Sequence, residues 1–386
     1  MTAPPRIRVA VAVPRYGTIG GGEKFVYELT ERLARDTRYE IHVFANQWVP
    51  GPGPVTYHKV ARVRFPRFLR PLGFAWLAGR SIARGRFDIV HAHDRLLHAD
   101  VFTMHAVPHA GWIRDVRRKR PGLLDRATID LERRMMEKAG KSWFLPVSSL
   151  AAEALGKAYR VDPARMRVVH PGVDVERFSG PDRAACRAEI RARHGIGPAD
   201  LVILFVGMNF EVKGLDAIIE AVARARRERP EAGFRLLVVG KGDARRYGNL
   251  ARSRGIAGAV AFAGPQAAAV ERYYRASDAF AMLSRFDTFG MAALEAMAAG
   301  LPVILGANVG ARDLVTDGEN GFVVAGGEGT SEVARRLLAL ADGQARARMG
   351  ERAAETAARH TWDATASAVE EVYERVLRDA RGGVGG

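Results

Sequence analysis

Twice in this sequence an apolar run of strand length feeds a glycine-bearing loop and then an amphipathic helix. The first instance is Ile7 to Val13, apolar apart from Arg8, then the loop Pro14 to Gly22. The helix Glu23 to Leu33 follows, with Phe25, Val26, Leu29 and Leu33 on one face. The second is the strand Leu201 to Gly207, the loop Met208 to Lys213 and the helix Gly214 to Arg227. Strands that are apolar on both faces belong in sheets covered on both sides, which means parallel strands joined by helices. The same alternation continues. Strands are expected at 41–45, 87–91, 101–105, 144–147, 235–240, 259–263 and 279–283. Helices are expected at 131–139, 150–157 and 270–276, and through most of 332–378. The pattern predicts an α/β protein of two doubly wound domains, and 386 residues suit that number. The first domain is read as 1–172, closing on the Pro-Gly turn of VVHPGVD. The second is read as 173–361, with the residues 362–386 as a last helix and a glycine-rich end, 382–386, that reads as disordered.

The stretch Ser284 to Pro302, SRFDTFGMAALEAMAAGLP, carries the most chemistry. It predicts a polar loop, a helix of about three turns stopped by Gly300 and Pro302, and a buried strand at Val303 to Leu305. Asp287 falls at or just before the helix start, and Glu295 about two turns inside, which sets the carboxylates roughly 10 Å apart. That is the extent of a nucleotide sugar laid over a helix end. The diphosphate would meet free backbone N–H groups and the positive dipole, and each carboxylate could accept bonds from hydroxyls. Ordinary capping would also account for Asp287. It would not account for Glu295, because a carboxylate in an Ala/Leu/Met helix needs a partner.

Charge is distributed unevenly. The net charge is +16 over the chain. Residues 1–172 hold 30 Lys and Arg against 15 Asp and Glu, and residues 173–386 are close to neutral. The first half therefore expects an anionic partner, for which nucleic acid, an anionic membrane surface and a phosphorylated acceptor all have the right sign. Arg62, Arg64, Arg67 and Arg70 interleave with Val63, Phe65, Phe68 and Leu69, ahead of Phe74 and Trp76. Such a surface suits an anionic membrane interface. A surface loop followed by a core helix reads equally well. The run RDVRRKR at 114–120 is an ordinary solvated face by composition. No nucleic-acid module is recognisable, so nucleic acid is not expected as a partner. The single cysteine, Cys186, excludes an intramolecular disulfide and suggests a reducing compartment. The first apolar run is too short for a secretory signal, and no run approaches the 18 residues of a membrane span.

Five of the ten histidines lie between His91 and His109. Pro108 breaks any helical pairing of His105 with His109 and no cysteine is near, so a metal centre is not expected. The glycines at 17, 20, 21 and 22 do not form the dinucleotide fingerprint. Gly21 and Gly22 open a helix, where backbone can approach a phosphate or an acceptor.

With these residues in view, the stretch 284–303 resembles the acidic signature of the retaining glycosyltransferases of family 4. In that signature two acidic residues separated by seven others precede Ala-Met-Ala-Ala-Gly-Leu-Pro-Val. Asp287 stands where the family has Glu, one methylene shorter. Gly207 to Gly214 resembles the family's phosphate-binding loop. Lys213 is present, but Met208 occupies the usual Arg position, leaving Lys241 or Arg245 to supply a second cation. Thr103-Met104-His105 matches the place of the family's active-site histidine. Within the family, Met208 to Lys213 followed by GLDAIIEAVA looks most like the lipopolysaccharide core glucosyltransferases.

The resemblance implies a GT-B architecture, two Rossmann-like domains facing a cleft, with the helix from Trp362 crossing back onto the first. It implies transfer of a hexose from a UDP-sugar with retained anomeric configuration, by front-face attack. Lys213 and the helix start at Phe289-Gly290 would stabilise the departing diphosphate. Asp287 would orient the hexose, Glu295 would bind the ribose and His105 would hold the sugar. The chain contains no Asp-x-Asp, so neither a divalent metal nor another cofactor is expected. The implied acceptor is an anionic glycolipid, a lipopolysaccharide core intermediate, at the inner face of the cytoplasmic membrane. A soluble sugar or natural-product acceptor, or a nucleotide-sugar epimerase, are the alternatives.

Overall fold

The computed structural model describes residues 6–18, 20–325 and 329–382; the glycine-rich end at 383–386 lies outside them. The chain forms two compact units. One holds 1–172 together with 362–386, the other 173–361.

The first unit runs β1 (Ile7–Ala12), α1 (Gly21–Leu33), β2 (Tyr39–Ala45), β3 (Val55–Lys59), α2 (Arg70–Ala83), β4 (Ile89–Ala92), β5 (Val101–Met104), α3 (Leu123–Lys138), β6 (Trp143–Pro146) and α4 (Ser149–Ala158). The six strands of its main sheet lie in the order β3-β2-β1-β4-β5-β6, every pair parallel. Val9 to Ala12 are almost wholly buried, which is why β1 tolerates no polar face. Arg8, the exception, sits at the strand start, where its guanidinium reaches Glu40 at 3.4 Å and the Arg86 carbonyl at 2.9 Å. β3 was not expected. It is an edge strand, half exposed and preceded by Pro52 and Pro54, so its composition reads as loop. α3 starts eight residues before the expected 131, because Asp125 turns back to accept the Gly122 N–H at 3.0 Å and caps a helix whose first turn, Leu123-Leu124, is exposed.

The last helix, written here α12 (Trp362–Gly382), belongs to the first unit. Trp362, Val369, Val372 and Tyr373 are buried, each contributing about 1.5–3 kcal/mol. Exposed ion pairs such as Arg32–Asp363 (2.7 Å) and Arg167–Glu371 (2.6 Å) add little to this.

The second unit runs α5 (Arg183–Arg193), β7 (Leu201–Met208), α6 (Leu215–Glu228), β8 (Phe234–Lys241), α7 (Ala244–Ser253), β9 (Val260–Gly264), α8 (Val270–Ala276), β10 (Ala279–Met282), α9 (Met291–Ala298), β11 (Val303–Gly306), β12 (Gly321–Val324), α10 (Gly329–Ala339) and α11 (Gly343–Arg359). Its strand order is β9-β8-β7-β10-β11-β12, again all parallel. The polar connection at 175–200 is ordered as α5 because Arg191, 4% exposed, is buried against the Asp278 carboxylate at 2.7 Å and the Ala276 carbonyl at 3.1 Å.

The two sheets share one order, and each reverses direction at the same place, between β1 and β4 and between β7 and β10. At such a switch point the connecting loops diverge and leave a crevice beyond the carboxyl ends of the strands. No helix of the described residues is long and apolar enough to cross a membrane.

Candidate active site

In the second unit the loops after β7, β10 and β11 are laced together at the switch point. Asn209 takes the left-handed conformation (φ 64°), which Asn tolerates, and turns the chain out of β7. Gly214 (φ 74°) has the Leu283 carbonyl oxygen 2.2 Å from where a Cβ would stand, so only glycine fits there. The Arg285 N–H donates to the Val212 carbonyl at 2.9 Å. Asp287 is held through its backbone, its N–H donating to Asn308 (2.8 Å) and its carbonyl accepting from Gly310 (3.0 Å). This lacing brings Lys213 Nζ into an ion pair with Asp287 Oδ2, the side chains 21% and 14% exposed. The Lys213 stem lies across Gly207, where a Cβ would meet its Cγ at 3.1 Å.

α9 is shorter than expected. It starts at Met291, with Gly290 (φ 90°) as its N-cap, and ends at Ala298. Asp287 Oδ1 accepts from the Phe289 N–H at 3.3 Å instead of capping the helix proper. Glu295 is the fifth helical residue, just past one turn in. The helix buries Ala293, Leu294, Ala296 and Met297 completely, and Glu295 finds its partner in the hydroxyl of Tyr274, which donates to Oε2 at 3.0 Å. Burial and then the Glu295 carboxylate push the Tyr274 phenol well above its ordinary value, so it remains a donor. Nothing in VERYYRA singles out Tyr274; its role depends on packing between α8 and α9. Met208 is 56% exposed and pairs in register with Lys241, itself exposed, on the neighbouring strand.

In the first unit His105 stands just past β5. A Cβ on Gly22 would touch the His105 Cβ at 3.4 Å, so the start of α1 packs directly on this side chain. Phe25 meets its ring edge-on at 4.9 Å, and His93 Nδ1 is 3.0 Å from His105 Nε2. Burial lowers His105 to about 4, leaving the ring neutral near pH 7. His91 lies behind, bonded to Thr103 Oγ1 and to the Tyr373 hydroxyl of α12, both at 2.7 Å. His109 instead pairs with Asp125 at 3.0 Å. Lys119, the Gly122 N–H and His109 hold Asp125 well below the usual carboxylate range. Among the described residues no group of three His, Cys, Asp or Glu is placed to hold a metal ion.

A cavity of about 420 Å³ lies beyond the carboxyl ends of the first sheet, lined among others by Arg15, Arg62, Arg70, Arg95, Asp94, His109 and Asp125. Arg15 is committed to Glu23 (2.6 Å) and Arg95 to the buried Glu132 (2.7 Å). Arg62 forms no ion pair among the described residues, and the buried Nε of Arg70 has no hydrogen-bond partner among them. Arg70 opens α2, whose first turn contains Pro71 and no acidic residue. Two of the arginines read as a membrane face thus line a cavity. Phe74 enters the core, while Phe65 and Trp76 remain 86% and 58% exposed.

Residues 19–177 match the family described as Glycosyltransferase Family 4, and residues 187–356 match Glycosyl transferases group 1. A D-inositol 3-phosphate glycosyltransferase of Streptomyces scabiei is 31% identical, over 95% of this chain and 89% of that protein. One from Kineococcus radiotolerans is 33% identical, over 96% and 93%. This chain belongs to the glycosyltransferases of family 4. Its fold is theirs too. WaaG, a glycosyltransferase involved in lipopolysaccharide biosynthesis, superposes with a TM-score of 0.77 at 22% identity, over 94% of this chain and 99% of that one. Anabaena Alr3699/HepE, solved in complex with UDP and glucose, gives 0.73 at 17% identity, over 96% and 100%. The glycosyltransferase therefore has the GT-B fold, with two Rossmann-like parallel-sheet units. Of its candidate site residues, Lys213 and Asp287 meet directly in the second unit. Glu295 is placed by Tyr274, and Gly22 and His105 meet in the first unit.

Proposed function

We propose that this glycosyltransferase moves a hexose, glucose in the first instance, from a UDP-sugar to a phosphorylated acceptor, with retained configuration. The Lys213–Asp287 pair at the crevice of the second sheet carries this reading. A diphosphate brings more charge to Lys213 than one carboxylate does, so the donor can take over the lysine and release Asp287 to the sugar hydroxyls. Glu295, oriented by Tyr274, takes the ribose hydroxyls, and the N-terminus of α9 faces the phosphates. His105 contributes a neutral hydrogen bond to the transferred sugar. The bond from the anomeric carbon to the leaving phosphate oxygen breaks and the acceptor oxygen bonds to the same face. Its proton passes to the departing diphosphate. No step calls for a metal.

The acceptor assignment rests on the cavity of the first unit, where Arg62, Arg70 and the start of α2 suit a phosphate, and on relatives named for inositol 3-phosphate. A second reading places an anionic glycolipid, such as a lipopolysaccharide core intermediate, in the same cavity, with the enzyme peripheral on the inner face of the cytoplasmic membrane. The exposed Phe65, Trp76 and Leu123 among arginines favour it. Thermal stabilisation by UDP-, GDP- and ADP-glucose, followed by transfer assays with D-inositol 3-phosphate and with anionic vesicles carrying glycolipid, tests both. Stabilisation by UDP-glucose and an axial product linkage are expected. No stabilisation by any of the three would refute the donor site.

A further inference from the structure

We propose that His93 fixes the tautomer of His105, holding the ring proton of His105 on Nδ1 so that this residue acts as a neutral N–H donor and not as a base. The proposal rests on the reading that His105 contacts the transferred sugar, but its test does not need that reading.

The two imidazoles face each other edge to edge. Their planes are 19° apart, their centres 5.2 Å apart and the facing nitrogens 3.0 Å apart, which is a hydrogen bond and not a face-to-face stack. His93 is itself immobile. It is 7% exposed, its N–H donates to the Ala12 carbonyl at 2.9 Å, and His91 lies against its ring at 4.1 Å.

One proton must lie between the two nitrogens, and it can belong to either ring. If His105 donated from Nε2, neutral His93 would have to carry its own proton on the other nitrogen. That nitrogen, Nε2, is buried and has no hydrogen-bond partner among the described residues. The result would be an orphaned buried N–H. If His93 donates from Nδ1, its Nε2 is a bare lone pair, and buried acceptors are left under-satisfied more readily than buried donors. The second arrangement is therefore favoured. It makes His105 Nε2 an acceptor and leaves the proton of His105 on Nδ1. The doubly protonated alternative is disfavoured because burial drives His93 well below its ordinary value and His105 to about 4.

The assignment has a chemical consequence. With Nε2 engaged and Nδ1 already protonated, His105 has no nitrogen with which to take the proton of an acceptor hydroxyl. It can stabilise an oxygen by donating to it. His93 touches no reacting atom in this scheme and acts only through His105, as a positioning residue.

The test uses the full-length protein with ring-15N-labelled histidine and no substrate. Two-bond proton–nitrogen correlations identify the protonated nitrogen, and the His105 signals are assigned by their loss in His105→Gln. The wild type should show His105 protonated on Nδ1. In His93→Leu the His105 proton should move to Nε2, wholly or in part. His93→Asn, whose amide nitrogen stands about where Nδ1 stands, should restore the Nδ1–H form. Kinetically, His93→Leu should lower kcat about tenfold to a hundredfold with the donor KM within about twofold, and His93→Asn should recover most of it. An Nε2-protonated His105 in the wild type would overturn the proposal, as would an unchanged tautomer in folded His93→Leu. Should His93→Leu not fold, the wild-type and His93→Asn spectra decide alone. An absence of transferase activity would count against the function proposed above and leave this result standing.

Discussion

Acidification should loosen the first unit more than the second, where burial also lowers His194. His91 and His105 are lowered by burial from 6.5 to about 3 and about 4, and burial likewise holds His93 well below its ordinary value. A base whose folded pKa is depressed binds fewer protons folded than unfolded. Stability is thus fully present above the unfolded value of 6.5 and is lost as pH falls through it, down to the folded values. Between pH 7 and pH 5 the loss is about 2 kcal/mol for His91 and at most about 2 kcal/mol for His105, which is partly exposed. Together this is about 4 kcal/mol, a large part of the stability of a domain of this size. Carboxylates lowered by ion pairs, such as Asp125 and Asp278, lose their contributions only at lower pH. Glu370, raised by burial, works in the opposite sense and blunts the loss. The assay is built into the sequence. All five tryptophans, Trp48, Trp76, Trp112, Trp143 and Trp362, belong to the first unit, so urea unfolding followed by tryptophan fluorescence reports that unit alone. The midpoint should fall steeply from pH 7 to pH 5. A flat or rising midpoint across this range would show that the histidine row is not buried and neutral as described.

Other outcomes follow from single contacts. Gly290→Ala places a Cβ 2.8 Å from Val309 Cγ1 at φ 90°, and should cost the second unit about 1–3 kcal/mol in calorimetric stability. Tyr274→Phe removes the hydroxyl that orients Glu295; a loss of about 1–3 kcal/mol and a raised donor KM are expected, while unchanged donor KM would detach Glu295 from the donor. Asp287→Asn frees Lys213 from its ion pair, so UDP alone should bind more tightly while turnover falls. Arg62→Ala should raise the KM for a phosphorylated acceptor and leave the donor KM unchanged.

Much of the fold was legible because parallel strands buried on both faces leave unbroken apolar runs. Leu201 to Met208 and Val9 to Ala12 are strands for that reason. The edge strand β3 was not legible, since only one side pairs and its residues are half exposed. The site was legible in part. Lys213, Asp287 and Glu295 stand out as charges at loop and helix positions where charge needs a reason. Their partners do not. Tyr274, 21 residues before Glu295, is indistinguishable from a core tyrosine until α8 and α9 pack. The depth of Glu295 was overstated because a left-handed Gly290 delays the helix to Met291. Arg62 and Arg70 read as surface because their cavity is built from loops far apart in sequence.

In the proposed reaction Lys213 and Glu295 grip the activated sugar at the switch point of the second sheet. Isothermal titration of UDP-glucose into the wild type, Lys213→Ala and Glu295→Gln tests it directly. The wild type should bind, with affinity lost about tenfold or more in each variant while both remain folded. Equal affinity in all three would show that neither residue holds the donor.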